Sequence, residues 1–145
     1  MIDNLFPLVN VWTAGLGYIE DFYAWYMDNE ANITDDTIII GDTNSNAIWD
    51  HQHGIKSHSS VVDLLNGKGL VSAYHYVTGE EQGKETTITR YAGNNSRIKD
   101  THIDHCFVKA DRIKSYHILN FDWLLKGDEK PKWSDHAPLV LEISD

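Results

Sequence analysis

Apolar and polar positions change period several times along the chain, and each change marks an element. Leu5 to Trp12 (Leu-Phe-Pro-Leu-Val-Asn-Val-Trp) reads as a strand, with Pro7 tolerable near its start or on an edge. Gly15 and Gly17 break it. From Tyr18 to Met27, Ile19, Phe22, Tyr23, Tyr26 and Met27 recur at helical spacing, and Glu20, Asp21 and Asp28 fall off that face. Thr37-Ile38-Ile39-Ile40-Gly41 is a short β-branched run of the buried-strand kind. Strand, helix and buried strand predict a right-handed βαβ unit. Sites in such units gather at the carboxyl ends of strands, where Asp42-Thr43-Asn44 stands.

Beyond a polar loop, Val61, Leu64 and Leu65 predict a second helix, with Ser57 or Ser59 to cap it and Gly67 to end it. Leu70 to Tyr76 alternates as a strand would, Gly79 to Lys84 is a loop, and the threonine-rich Thr86 to Tyr91 predicts another strand. Asn94-Asn95-Ser96 turns the chain. His102 to Val108 and Arg112 to Leu119 read as a hairpin around Lys109-Ala110-Asp111. A loop from Lys126 to Lys132 leads into Trp133-Ser134-Asp135-His136-Ala137-Pro138, and Leu139 to Ile143 is the last strand. About seven strands against two helices predict an α+β (mixed α/β) domain. No repeat or linker divides residues 1–145, so a single domain is expected.

Charge narrows the partners. The formal charge of −10 repels phosphate backbones, so any phosphate-bearing substrate needs a divalent cation or a local basic loop to offset it. The single cysteine, Cys106, excludes an intramolecular disulfide. With no signal peptide or membrane span in view, a cytoplasmic protein is expected. Five Trp and seven Tyr make the core or its interfaces heavily aromatic.

Three acidic motifs end or flank predicted strands: Gly41-Asp42-Thr43-Asn44, His102-Ile103-Asp104-His105 and Ser134-Asp135-His136. Singly, each fits a turn or a strand ion pair. Together they supply a coherent set. Hard cations take carboxylates, a general base needs a histidine held by an acid, and a phosphate takes a neutral amide donor; Asp135, His136 with Asp104, and Asn44 provide these in turn.

The ordered set resembles the metal-dependent endonuclease/exonuclease/phosphatase superfamily, whose fold is that of pancreatic deoxyribonuclease. Gly41-Asp42-Thr43-Asn44 is similar to the family's Gly-Asp-Phe-Asn. Ile103-Asp104-His105-Cys106-Phe107-Val108 is similar to its Ile-Asp-Tyr-(Ile/Val)-Phe strand, and Ser134-Asp135-His136-Ala137-Pro138 matches its Ser-Asp-His-x-Pro in full. Gly69 to Tyr74, with Thr89 and Tyr91, resembles the stretch after its second motif. The resemblance implies hydrolysis of a phosphodiester or phosphomonoester with Mg²⁺ or Mn²⁺. Asp42 would orient or deprotonate the attacking water, Asn44 would hold a phosphate oxygen, and Asp135 would serve the metal. His136 would contact the scissile phosphate or act as acid/base, with Asp104 fixing its ring. The substrate class implied is a phosphate ester: nucleic acid, nucleotide or phospholipid head group.

Departures from the family pattern set further expectations. The family's principal metal ligand is a Glu in a Gln-Glu context far upstream of Gly-Asp-x-Asn, and neither Glu20 nor Glu30 has that context. Where the family carries Asn-x-His the chain reads Asn10-Val11-Trp12, which leaves Asn10 a weak candidate for phosphate contact. The chain therefore resembles the C-terminal half of a four-layer α/β/β/α sandwich: one mixed sheet with two helices on one face. The other face is expected to be bare, inviting homodimerisation or a missing N-terminal half. The alternative function is a non-catalytic dimerisation or partner-binding module of the same ancestry. His51, His53 and His58 are a loop before they are a zinc cluster. Tyr18, Tyr23, Trp25 and Tyr26 are helix packing before they are a base-stacking platform. Glu80 to Glu85 is a solvated loop.

Overall fold

The computed structural model describes residues 6–15, 17–92, 99–119 and 134–144. Strand β1 (Leu8–Trp12) pairs in parallel with β2 (Ile38–Asp42), and helix α1 (Ile19–Asn29) makes the crossover, as the βαβ pattern predicts. Leu5 lies outside the described residues. Ile19, Phe22 and Tyr26 are the buried stripe of α1, whereas Met27, assigned to that stripe by spacing, faces solvent. Ser57 caps α2 (His58–Gly67), its Oγ accepting from the Ser60 N–H.

Three predicted elements differ. Leu70 to Tyr76 is not one strand: β3 stops at Leu70–Ser72 and α3 (Ala73–Thr78) follows at once, closed by Gly79 at φ 73°. Ser72 Oγ bonds His75 Nδ1 at 2.7 Å across the first turn of α3. Thr86 to Tyr91 forms no strand, because its groups are bound elsewhere. The Thr86 hydroxyl donates to Glu80, the Thr87 carbonyl meets His102, and Thr89 Oγ1 accepts from β4, so only isolated bridges at Arg90 remain. The expected hairpin is also absent. Strand β4 (Asp104–Lys109) already has β2 on one edge and β3 on the other, both antiparallel, and a strand has only two edges. After a 3₁₀ turn over Ala110–Arg112, β5 (Ile113–Ile118) pairs instead with β6 (Leu139–Ile143) in a sheet of their own. The turn at Asn94-Asn95-Ser96 and the loop from Lys126 to Lys132 lie outside the described residues.

The main sheet has order β1-β2-β4-β3 and is mixed. Side chains alternate between its faces. On one face Val11, Ile39 and Phe107 pack with Ile19, Phe22, Tyr26, Val61 and Leu65 of α1 and α2. On the other, Ile38, Cys106 and Val108 pack with Ala73 and Tyr74 of α3, with Tyr116, and with Ile113, Ile118, Leu139, Leu141 and Ile143 of the small sheet. The face expected to be bare is therefore covered across β2 and β4, and it supplies no case for a homodimer. Among the described residues, apolar groups of this face that stay in water lie at the β1 edge, Leu8 at 65% and Trp12 at 76% exposure. No helix among the described residues is long and apolar enough to cross a membrane.

Candidate active site

One end of the main sheet collects the chemistry. Asp42 closes β2 and Asp104 opens β4, and antiparallel pairing sets them directly opposite each other. Alternation from Ile38, Ile40, Cys106 and Val108 turns both carboxylates toward the small sheet. Gly41 is the residue that lets β2 reach this point beside β1. It sits at φ 145°, and a Cβ there would lie 2.0 Å from the Val11 carbonyl oxygen.

His136 comes from a different part of the chain and is docked by segment 89–91. The Ala137 N–H donates to the Thr89 carbonyl at 2.7 Å, and the Tyr91 N–H donates to the Asp135 carbonyl at 2.8 Å. Thr89 Oγ1, fully buried, accepts from the N–H groups of Ile103 and Asp104 at 2.9 and 3.0 Å. One threonine thus ties the backbone carrying His136 to the backbone carrying Asp104. The resulting contact is close: His136 Nδ1 lies 3.0 and 2.9 Å from the two Asp104 oxygens.

That bond leaves Nε2 as the working nitrogen. Asp42 Oδ2 lies 4.0 Å from it and Asp135 Oδ1 3.9 Å. The Asp104 hydrogen bond, partly opposed by burial, raises the His136 pKa above the ordinary imidazole value. Burial also raises Asp42, with the neighbouring Asp104 charge adding to it and the Asn44 bonds opposing it. A histidine inclined to keep its proton and a carboxylate inclined to take one therefore stand 4.0 Å apart, a separation that one water hydrogen-bonded to both can bridge.

Asn44 is engaged with Asp42. Its backbone N–H donates to Asp42 Oδ1 at 2.8 Å, and its side-chain Nδ2 donates to Asp42 Oδ2 at 2.9 Å and to the Thr13 carbonyl at 2.7 Å. The left-handed φ of 47° that permits this is one Asn tolerates. Both amide hydrogens are committed, so a phosphate oxygen reaches them only by displacing Asp42 or Thr13. Asp135 is half exposed and pairs with Arg90 Nε at 3.4 Å. Asn10 lies on the same sheet face as Asp42 but one residue pair further from the strand ends, opposite Ile40. Asp42, Asp104, His136 and Asp135 therefore converge, and Asn10 stands apart.

For a divalent cation the donor chemistry is suitable. Asp42, Asp104 and His136 each present a ligand atom within 4.8 Å of the others. His136 Nδ1 and Asp104 already satisfy each other, which leaves the Nε2 side, with Asp42 and Asp135, as the open position. Two carboxylates completed by water suit Mg²⁺ or Mn²⁺.

Sequence reasoning missed a buried polar layer behind the motif loop. Glu85, assigned to a solvated loop, has a side chain only 3% exposed and pairs with His75 Nε2 at 3.0 Å. It also accepts from Asn46 Nδ2 and from the Gly83 N–H, each at 2.9 Å. Burial alone would raise its carboxyl, but these bonds outweigh burial and hold it well below the usual range. His58 is not part of a zinc cluster. It is buried between Ser45 Oγ at 2.8 Å and Gln82 Oε1 at 3.1 Å, and burial pushes its pKa down to about 4. His51 is exposed and His53 meets Glu20, so these three histidines do not converge. The His105 ring packs at a tilt between those of His58 and His102, and burial lowers both His102 and His105. His105 Nε2 bonds the Ser45 carbonyl at 3.0 Å. This layer holds residues 45 and 46, and so braces the loop that carries Asp42 and Asn44. Its one sequence signal is a density of His, Glu and Asn between two motifs, which does not separate brace from surface. The aromatics of this stretch form no platform either: Tyr26 is buried and bonds the Leu64 carbonyl, Tyr23 and Trp25 pack against the core, and Tyr18, just before α1, stands exposed.

No protein-family model and no curated protein matches the chain. Among solved structures it is similar to the endonuclease domain of TRAS1, a telomere-specific non-LTR retrotransposon, with a TM-score of 0.53 at 16% identity. The match covers 92% of this chain and 54% of that one, so the chain spans about half the length of the domain it resembles. A mixed sheet, a small second sheet and flanking helices, superposed on that domain, give this chain the deoxyribonuclease-like α+β fold.

Proposed function

We propose that this chain is a metal-dependent phosphoesterase of the endonuclease/exonuclease/phosphatase superfamily, acting on phosphodiesters of nucleic acid. The observation that carries the reading is the His136 ring, bonded to Asp104 through Nδ1 and facing Asp42 and Asp135 through Nε2. A phosphate placed against Nε2 meets a proton donor there, with the Asp42 carboxylate 4.0 Å from that nitrogen to align water. Asp42 takes the proton of the attacking water, and its raised pKa suits that role. Nε2–H donates to a phosphate oxygen or to the departing alkoxide, with the negative Asp104 stabilising the imidazolium. Asn44 positions Asp42. A Mg²⁺ or Mn²⁺ held by Asp135 would neutralise charge developing on the phosphate.

The same reading takes residues 1–145 as one domain corresponding to the C-terminal half of that fold, and Cys106, buried and reduced, suits a cytoplasmic setting. The fold likeness to an endonuclease domain favours nucleic acid over phosphomonoesters or lipid head groups. The test is hydrolysis of bis(p-nitrophenyl) phosphate with Mg²⁺ or Mn²⁺, against a chelator and against His136→Ala. A chelator-sensitive rate reduced about 10²–10⁴-fold in the variant is expected. Equal rates in both proteins would overturn the mechanism. No hydrolysis with any metal would favour the non-catalytic module.

A further inference from the structure

The row of residues that ends the main sheet does not stop at the two carboxylates. Trp12 on β1 is in register with Asp42 on β2, and Asp42 is in register with Asp104 on β4. Strands lie about 4.8 Å apart, so the Trp12 backbone stands one strand spacing from that of Asp42 and about 10 Å from that of Asp104. Val9 and Val11 belong to the core on the helix side, so alternation turns Leu8, Asn10 and Trp12 to the face that carries the carboxylates. The backbone here is fixed. The Thr13 N–H donates to the Asp42 carbonyl at 3.0 Å, and the Thr13 carbonyl accepts from Asn44. Trp12 is nevertheless 76% exposed.

We propose that Trp12 is a stacking subsite for the base of a nucleotide flanking the scissile phosphate. The inference rests on the phosphoesterase reading and adds what the substrate must carry. Charge is the first argument. The chain is −10, and Arg90, the cation at this site among the described residues, is spent on Asp135. Counterion release, the usual source of nucleic-acid affinity, is therefore weak here. Stacking is the remaining large term, worth about 1–3 kcal/mol per base and indifferent to sequence. The ring's surroundings are the second argument. Among the described residues its nearest neighbours on this face are Asp42 and the exposed Asn10, with Leu8 beyond Asn10 on the same strand, so the indole stands in a polar setting rather than at the centre of an apolar patch. Such a setting suits a base, which has an apolar face and polar edges. Distance is the third: a phosphate against His136 Nε2, beside Asp42, has its neighbouring nucleoside one sugar away, about the strand spacing between the Asp42 and Trp12 backbones. The substrate favoured is single-stranded or frayed, since a base paired in a duplex has no free face to offer.

The experiment measures binding in the presence of a chelator, so that nothing is cut. A dye-labelled short oligodeoxyadenosine is titrated with the full chain, and an abasic oligomer of the same length and charge is titrated in parallel. The wild-type protein is expected to prefer the base-bearing strand. Trp12→Ala should weaken that strand about 5–150-fold and leave the abasic one unchanged, while Trp12→Phe keeps most of the affinity. Thermal melting of each variant checks the fold, which so exposed a side chain should not disturb. Equal loss on both strands, no loss on either, or no binding by the wild-type protein overturns the subsite. The phosphoesterase reading fails separately, by absence of His136-dependent hydrolysis in the assay above.

Discussion

Gly41→Ala isolates the part of the motif that is backbone rather than chemistry. Two costs add. At φ 145° an L side chain is strained, which costs about 1–3 kcal/mol. The new methyl would also lie 2.0 Å from the Val11 carbonyl oxygen and 2.9 Å from its carbon. Ordinary contact begins near 3.4 Å, so β1 and β2 must part by more than an ångström at their carboxyl ends. That movement breaks or stretches the Thr13-to-Asp42 bond, now 3.0 Å, and its ladder neighbour, at about 1 kcal/mol each. The sum is about 3–5 kcal/mol, a large share of a typical 5–15 kcal/mol total. Urea unfolding followed by tryptophan fluorescence measures it, with a matching fall in Tm of about 10 °C. Gly67→Ala is the control. No atom lies within 4 Å of a Cβ there, and the expected change is within about 0.5 kcal/mol. A Gly41→Ala loss below about 1 kcal/mol, with unchanged denaturant dependence, would refute the claim that this glycine is sterically required.

Other outcomes follow from the same contacts. Thr89→Val leaves two buried N–H groups without an acceptor and should cost about 2–4 kcal/mol in urea melts; a neutral result would show that Thr89 does not tie the two segments. Asp104→Asn removes the main cause of the raised His136 pKa, so the ring resonance should titrate lower by NMR, and an unchanged midpoint would discard the dyad. The dyad stabilises the fold fully below the ordinary imidazole pKa, and that contribution fades as pH rises through the raised one. The buried histidines act in the opposite sense. His58, held near 4 when folded against about 6.5 unfolded, contributes stability that is whole above the unfolded value and lost as pH falls. From pH 7 to 5 that is about 2 kcal/mol from His58 alone, with His102 and His105 adding in the same direction. Urea midpoints that stay level between the two pH values would contradict the burial of these rings.

The βαβ start and the three motifs were legible because local pattern decides them. The β-branched run Ile38 to Ile40 reads as a core strand, with Ile38 and Ile39 buried and Ile40 partly so, and Gly-Asp-x-Asn and Ser-Asp-His-x-Pro carry their turn chemistry with them. Pairing was less legible. Nothing local tells β5 that both edges of β4 are taken, so adjacency in sequence suggested a hairpin that the sheet forbids. Composition likewise misplaced Thr86 to Tyr91, where threonine's β preference lost to its capacity for side-chain bonds. Glu85 was unreadable for a different reason. A buried carboxylate looks like a surface one until His75, Asn46 and the Gly83 N–H close around it.

The chain's single thiol lies at the centre of this construction. Cys106 is fully buried on β4, two residues from Asp104, and burial pushes its pKa up to about 12. It is both inaccessible and protonated, so alkylating reagents reach it only when β4 parts from its neighbours. The rate of maleimide labelling is therefore a clock for opening of the strand that carries Asp104. It needs no engineered probe, and a bound substrate or metal that clamps the motif end of the sheet should slow it.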